Sequence, residues 1–119
     1  MVQFSPATLD ASFAALSDAT RRGVLAHLGR SDASITSLAD QFHMTLTGMK
    51  KHVQVLERAG LVTTEKVGRV RTCRLGERGL TVEAEWIEAQ RKLFEERFAA
   101  LDAIIDDIKQ EEANGSANR

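Results

Sequence analysis

The sequence predicts a mainly α (α+β) fold, a winged helix-turn-helix with a two-stranded β-wing and a long C-terminal dimerisation helix. Three observations predict it. Two short amphipathic stretches, each preceded by a threonine, are separated only by His43-Met44. Two Val- and Thr-rich runs flank Gly68-Arg69. From Thr81 to Gln110 the chain then contains neither Pro nor Gly.

Taken in order, Leu9, Phe13 and Leu16 recur at spacings of four and three, the stripe of an amphipathic helix. Asp18 stands before the next helix and caps it with its carboxylate. That helix carries Val24, Leu25 and Leu28 inward and ends at Gly29. Arg30 to Ser34 is polar and reads as a loop. Thr36 is the expected cap of a helix facing inward through Leu38, Ala39 and Phe42, and His43-Met44 make the turn. Thr45 caps the next helix, whose inward stripe is Met49, Val53 and Leu56 before Ala59-Gly60. The period then changes to that of strands: Leu61 to Val67 and Val70 to Leu75 form a hairpin with Gly68-Arg69 at its tip. The last helix would span about 45 Å. Its residues Phe94, Phe98, Leu101, Ile105 and Ile108 form a heptad-like seam, widened by Trp86, Leu93 and Ile104. That face is wider than a small helical core requires. One domain is expected over residues 1–110, with 111–119, small and polar, as a disordered tail.

Composition bounds the function. The chain has 119 residues, 43% hydrophobic and 28% charged, as expected of one globular domain. It contains no apolar run long enough for a transmembrane span, and its first residues lack the pattern of a secretory signal. The single cysteine, Cys73, gives no intrachain disulfide and fits a reducing cytoplasm. Cys73 reads as a small buried apolar residue on a strand. His27, His43 and His52 are scattered, without metal-ligand spacing, so no metal site and no cofactor are expected. No phosphate loop, nucleophile elbow or paired acid and base is present, so no catalytic residue is assigned and an enzyme is not expected.

The net charge of −1 conceals a division. Residues 1–76 carry 10 Lys+Arg against 6 Asp+Glu, a net of +4, and residues 77–119 carry 6 against 11, a net of −5. With Met49, Val53 and Leu56 inside, helical geometry places Thr47, Lys50, Lys51, Gln54 and Arg58 on the opposite side. In a helix-turn-helix this side of the second helix meets phosphates and base edges in the major groove. Thr45 and Thr47 sit at the positive helix N-terminus, which favours a phosphate. Gly48 would let the backbone approach DNA closely, and Gln54 suits an adenine edge. Arg69 and Arg71 lie on or beside the wing tip, where they would reach phosphates or the minor groove. Lys66 and Arg74 lie farther from the tip and read as structural or solvated. His52 flanks the inward stripe, and the pattern allows either a phosphate contact or a packed, half-buried ring.

These residues carry a resemblance. Ala15-Leu16-Ser17-Asp18-Ala19-Thr20-Arg21-Arg22, Leu38-Ala39, the block Met49-Lys50-Lys51-His52-Val53-Gln54-Val55-Leu56-Glu57-Arg58-Ala59-Gly60-Leu61-Val62, and Gly68-Arg69 with Arg74-Leu75 resemble the ArsR-type winged-helix transcriptional regulators over residues 9–108. The resemblance implies a homodimer, paired through the first and last helices, that represses transcription from an inverted repeat. It places Thr45, Thr47, Lys50, Lys51 and His52 on the recognition helix and Arg69 on the wing tip. Dimerisation is expected through Leu9, Phe13, Trp86, Leu93, Phe94, Phe98, Leu101, Ile105 and Ile108. Metal-sensing members carry Cys-x-Cys on the helix before the recognition helix, and here Thr36-Ser37-Leu38-Ala39-Asp40 stands there. Metal sensing is therefore expected to be absent. The expected partners are double-stranded DNA, a second copy of the chain and, where one exists, a small-molecule effector of unknown identity. The alternative is a winged-helix module that binds a protein and leaves DNA alone, and the basic residues on both helix and wing argue against it.

Overall fold

The computed structural model describes residues 6–117. Five helices and three strands follow in the order α1 (Pro6–Leu16), α2 (Ala19–Leu28), β1 (Ala33–Ser34), α3 (Ile35–Gln41), α4 (Leu46–Arg58), β2 (Val62–Val67), β3 (Val70–Leu75) and α5 (Thr81–Ala117). The chain divides into two compact units, one ending at Glu83 and the other beginning at Ala84.

In the first unit, α1 opens on Pro6, which fits a first helical turn because its missing N–H would lack an intrahelical partner anyway. Asp18 caps α2 by accepting from the Arg21 N–H. Here α3 is capped by Ser34, whose hydroxyl accepts from the Ser37 N–H, and not by Thr36. The cap falls two residues early because Ile35 is buried and begins the helix. Thr45 caps α4 as expected, accepting from the Gly48 N–H at 3.0 Å. Between α3 and α4, His43 takes a positive φ of 54°, a backbone conformation that turns the chain sharply.

The sheet has three strands, order β1-β3-β2, where two were expected. Ala33 and Ser34, expected as loop, pair antiparallel with Cys73 and Thr72. A two-residue strand has no periodicity to betray it. The β2–β3 hairpin turns through Gly68 (φ +62°) and Arg69, with Val67 paired to Val70. A positive φ at only the first of the two central residues is the II′ pattern, which requires glycine there.

The core gathers the inward stripes: Val24 and Leu28 from α2, Ile35 and Leu38 from α3, Met49, Val53 and Leu56 from α4, closed by Leu61, which precedes β2, and by Val62 and Cys73 from the sheet. Leu9 is already buried within this single chain, although the sequence assigned it to dimerisation. It belongs to the buried face of α1, alongside Ser12 and Ala15.

The second unit is the remainder of α5. Its helix does not stop near residue 110: residues 111–117, expected as a disordered tail, continue it to Ala117. Glu111, Glu112 and Ala113 are strong helix formers and no proline intervenes. Residues 118–119 lie outside the described residues. The large apolar residues Leu93, Phe94, Phe98, Leu101, Ile104, Ile105 and Ile108 are all exposed on the single chain, Phe94 and Phe98 by 61% and 62%. Glu88 and Glu95 both pair with Arg91. Among the described residues, no helix is long and apolar enough to cross a membrane.

Candidate nucleic-acid interface

The exposed side of α4 carries Thr47, Lys50, Lys51, Gln54 and Arg58, as the inward stripe requires. Thr45 spends its hydroxyl on the cap. The N–H groups of Leu46 and Thr47 lie in the first turn, where helix geometry gives them no intrahelical acceptor. A Cβ on Gly48 would come within 3.1 Å of the Thr45 hydroxyl and 3.3 Å of the Met44 methyl. The missing side chain thus leaves room beside the Thr45 hydroxyl and the Met44 methyl.

Between α4 and the wing runs a groove of about 500 Å³ lined by Ser34, Thr36, Leu46, Lys50, Lys66, Arg69, Val70 and Arg71, among others. Four cations therefore line one concavity: Lys50 from the helix, Lys66 and Arg71 from the strands, and Arg69 from the turn. Lys66 and Arg71 are Cα partners across the hairpin, so they share a face of the sheet. Strand pairing, and not distance from the tip, decides which face a residue takes, and it puts Lys66 on the wall of the groove. Arg71 also donates to Thr64 Oγ1 at 2.9 Å, and Thr64 donates to Glu57 Oε2 at 2.7 Å. This chain of hydrogen bonds runs from wing to α4. Arg74 pairs instead with Glu65 at 3.4 Å and Asp32 at 3.8 Å, in keeping with a structural role.

His52 is turned toward α2. Its ring is 21% exposed, with Nδ1 3.8 Å from Asp18 Oδ2 and 3.2 Å from Arg21 Nη1. A guanidinium only donates, so Nδ1 accepts and the neutral ring carries its proton on Nε2. Arg21 also donates to the carbonyls of Ala15 (2.8 Å) and Ala14 (3.0 Å), and Arg22 donates to that of Leu16 at 2.7 Å. These two arginines thus satisfy the last carbonyls of α1. The Arg21 N–H donating into Asp18 holds its carboxyl below the ordinary range.

A second polar cluster fixes the other end of α4. Arg78 donates to Glu83 Oε1 (2.6 Å), to Ser12 Oγ (2.9 Å) and to the Ala59 carbonyl (2.7 Å), while Ser12 donates to Glu83 Oε1 at 3.0 Å. Burial raises the Glu83 carboxyl, but the donors from Arg78 and Ser12 outweigh it and the net displacement is downward. No sequence pattern announces this cluster, because its members lie 66 and 71 positions apart.

Cys73 is fully buried, and burial, aided by Glu57, pushes its thiol up to about 11. It therefore remains a thiol at neutral pH, as a packing residue would. Among the described residues, no three His, Cys, Asp or Glu side chains are grouped to hold a metal ion.

A family model described as a helix-turn-helix domain matches residues 16–65. The crystal structure of an ArsR family transcriptional regulator is 41% identical, with a TM-score of 0.73, covering 80% of this chain and 97% of that one. An ArsR-like transcriptional regulator from Rhodococcus sp. RHA1 is 38% identical, with a TM-score of 0.70, covering 82% and 92%. A homodimeric winged helix-turn-helix DNA-binding domain from Mycobacterium bovis shares the fold at 22% identity and a TM-score of 0.59, covering 78% and 94%. No curated protein matches the chain significantly. The 41% and 38% identities extend over four-fifths of a chain that already has the helix-turn-helix, the wing and the long last helix, and on these grounds the protein belongs to the ArsR family of transcriptional regulators.

Proposed function

We propose that two copies of the chain, paired through α5, bind an inverted-repeat operator and repress transcription in the cytoplasm. The observation that carries this reading is the convergence of Lys50, Lys66, Arg69 and Arg71 on one groove between α4 and the wing. Cations on both walls suit a duplex backbone better than they suit a protein partner, and this disfavours the protein-binding module. Thr47, Lys50, Lys51 and Gln54 supply the major-groove face, and Arg69 and Arg71 supply the wing contacts. His52 serves first as a strut from α4 to Asp18 and Arg21, with its Nε2–H left for a phosphate. The exposed apolar face of α5 supports pairing with a second copy, which sets two recognition helices about one helical turn apart. The family's cysteine pair is replaced by Thr36-Ser37-Leu38, so release of DNA would answer to something other than a metal held there.

The test is fluorescence anisotropy with DNA upstream of the protein's own gene. The double variant Lys50→Ala/Lys51→Ala is expected to lose specific binding, and the native protein's affinity is expected to fall steeply with salt. Full affinity in the double variant would refute the assignment of α4 as the reading helix.

A further inference from the structure

The exposed positions of α4 are polar with one exception. Leu46, the first residue of the helix, is 42% exposed. It stands three positions before Met49 and seven before Val53, so the apolar stripe of α4 overruns the core by one turn. The overrunning residue does not end in open solvent. It lines the same groove as Lys50, Lys66, Arg69 and Arg71. Leu46 shares the groove with Ile35 and the exposed Val70 as well as with the four cations. It gains nothing from their charge and keeps an exposed part whose contact with water is unfavourable.

We infer that Leu46 reads the C5 methyl of a thymine in each half-site. The inference deepens the DNA-binding reading above and rests on it. The cations flanking the groove take the phosphates. Between the phosphate rows of a major groove lie base edges, and the apolar group they present is the thymine methyl. The first residues of a recognition helix are those that reach base edges. Thr45 fixes the start of α4 through its cap to Gly48, so Leu46 is presented from an ordered turn. Its contact with a methyl would exclude water from both and add base discrimination to the phosphate contacts of the cations.

The test uses the full chain and a duplex it selects from a randomised library. Each dT of that duplex is replaced singly by dU, which removes the methyl and keeps the pairing. For the native protein, one replacement per half-site is expected to weaken binding about fourfold, the value of one buried methyl group, and the symmetric double replacement more than tenfold. In Leu46→Ala the same replacements are expected to become silent, a non-additivity that a purely structural role for Leu46 would not produce. Leu46→Gln, equally suited to a helix, is expected to lose the methyl dependence too, and it covers the case of an alanine variant that folds poorly. If every dU replacement is silent, or weakens native and variant proteins alike, the inference is overturned while DNA binding stands. If the native protein selects no duplex at all, the DNA-binding reading fails and this inference with it.

Discussion

Residues 6–83 and 84–117 use the same apolar residue types to opposite ends. In the first stretch Leu38, Met49 and Leu56 are fully buried, and Ser12 and Glu83, the buried polar side chains, are satisfied by one another and by Arg78. No buried side-chain nitrogen or oxygen among the described residues lacks a partner. In the second stretch Ile87, Leu93, Phe94, Phe98, Leu101, Ile104, Ile105 and Ile108 are exposed. The first region has the finished core of a folded unit. The second displays an apolar face of a size that monomeric proteins rarely leave in water. The contrast separates apolar residues covered within one chain from those left exposed on it, a distinction that hydrophobic periodicity alone does not make.

The largest expected effect attacks the second region. Phe94→Glu with Phe98→Glu places two charges on the seam and is expected to convert a two-chain species into a single chain by sedimentation equilibrium. Operator affinity should then drop at least a hundredfold, since each half-site must be held alone. Circular dichroism should still show cooperative unfolding of the first unit. A variant that stays dimeric would break the comparison, since α5 would then not be the assembly surface.

The next effect attacks the first region. Glu83→Gln removes one partner of a buried ion pair and leaves Arg78 with a neutral amide, and should cost about 3 kcal/mol in urea unfolding. Because the folded protein holds the Glu83 carboxyl below its ordinary value, its contribution is complete above that value and vanishes as pH falls through the lower one. The gap between native and variant should therefore be widest at neutral pH and close in acid. A pH-independent gap would mean that packing, and not charge, holds this corner.

Legibility divides along the same boundary. The inward stripes of α2 and α4, the Asp18 and Thr45 caps and the hairpin about Gly68-Arg69 could be read from the sequence because each is a local pattern of a few residues. The long last helix was legible too, since no Pro or Gly interrupts it from Thr81 to Gln110. What escaped depends on distant residues. Strand β1 exists only because β3 offers it a ladder, and Lys66 joins the cationic groove only through its register with Arg71. The Ser12–Arg78–Glu83 cluster unites residues from both ends of the first unit, so spacing along the chain holds no trace of it. Leu9 is buried within the single chain, and its amphipathic stripe alone does not say which chain will cover it.

The smallest effect tests the turn that joins the two helices of the helix-turn-helix. His43 holds a φ of 54°, and among the described non-glycine residues it alone is positive. In that region a Cβ crowds the following carbonyl, at a cost of roughly 1–2 kcal/mol. Short polar side chains tolerate it best and β-branched ones worst. His43→Asn should therefore be nearly silent in thermal unfolding, whereas His43→Val should lose about 1–2 kcal/mol. The effect on DNA should be sharper than the effect on stability, because this turn sets how α4 leaves α3 and hence where Lys50 and Leu46 stand. If His43→Val destabilises the fold yet binds operator with native affinity, the orientation of α4 is set by its packed stripe of Met49, Val53 and Leu56. If binding falls more than the small loss of stability explains, the turn itself aims the reading helix.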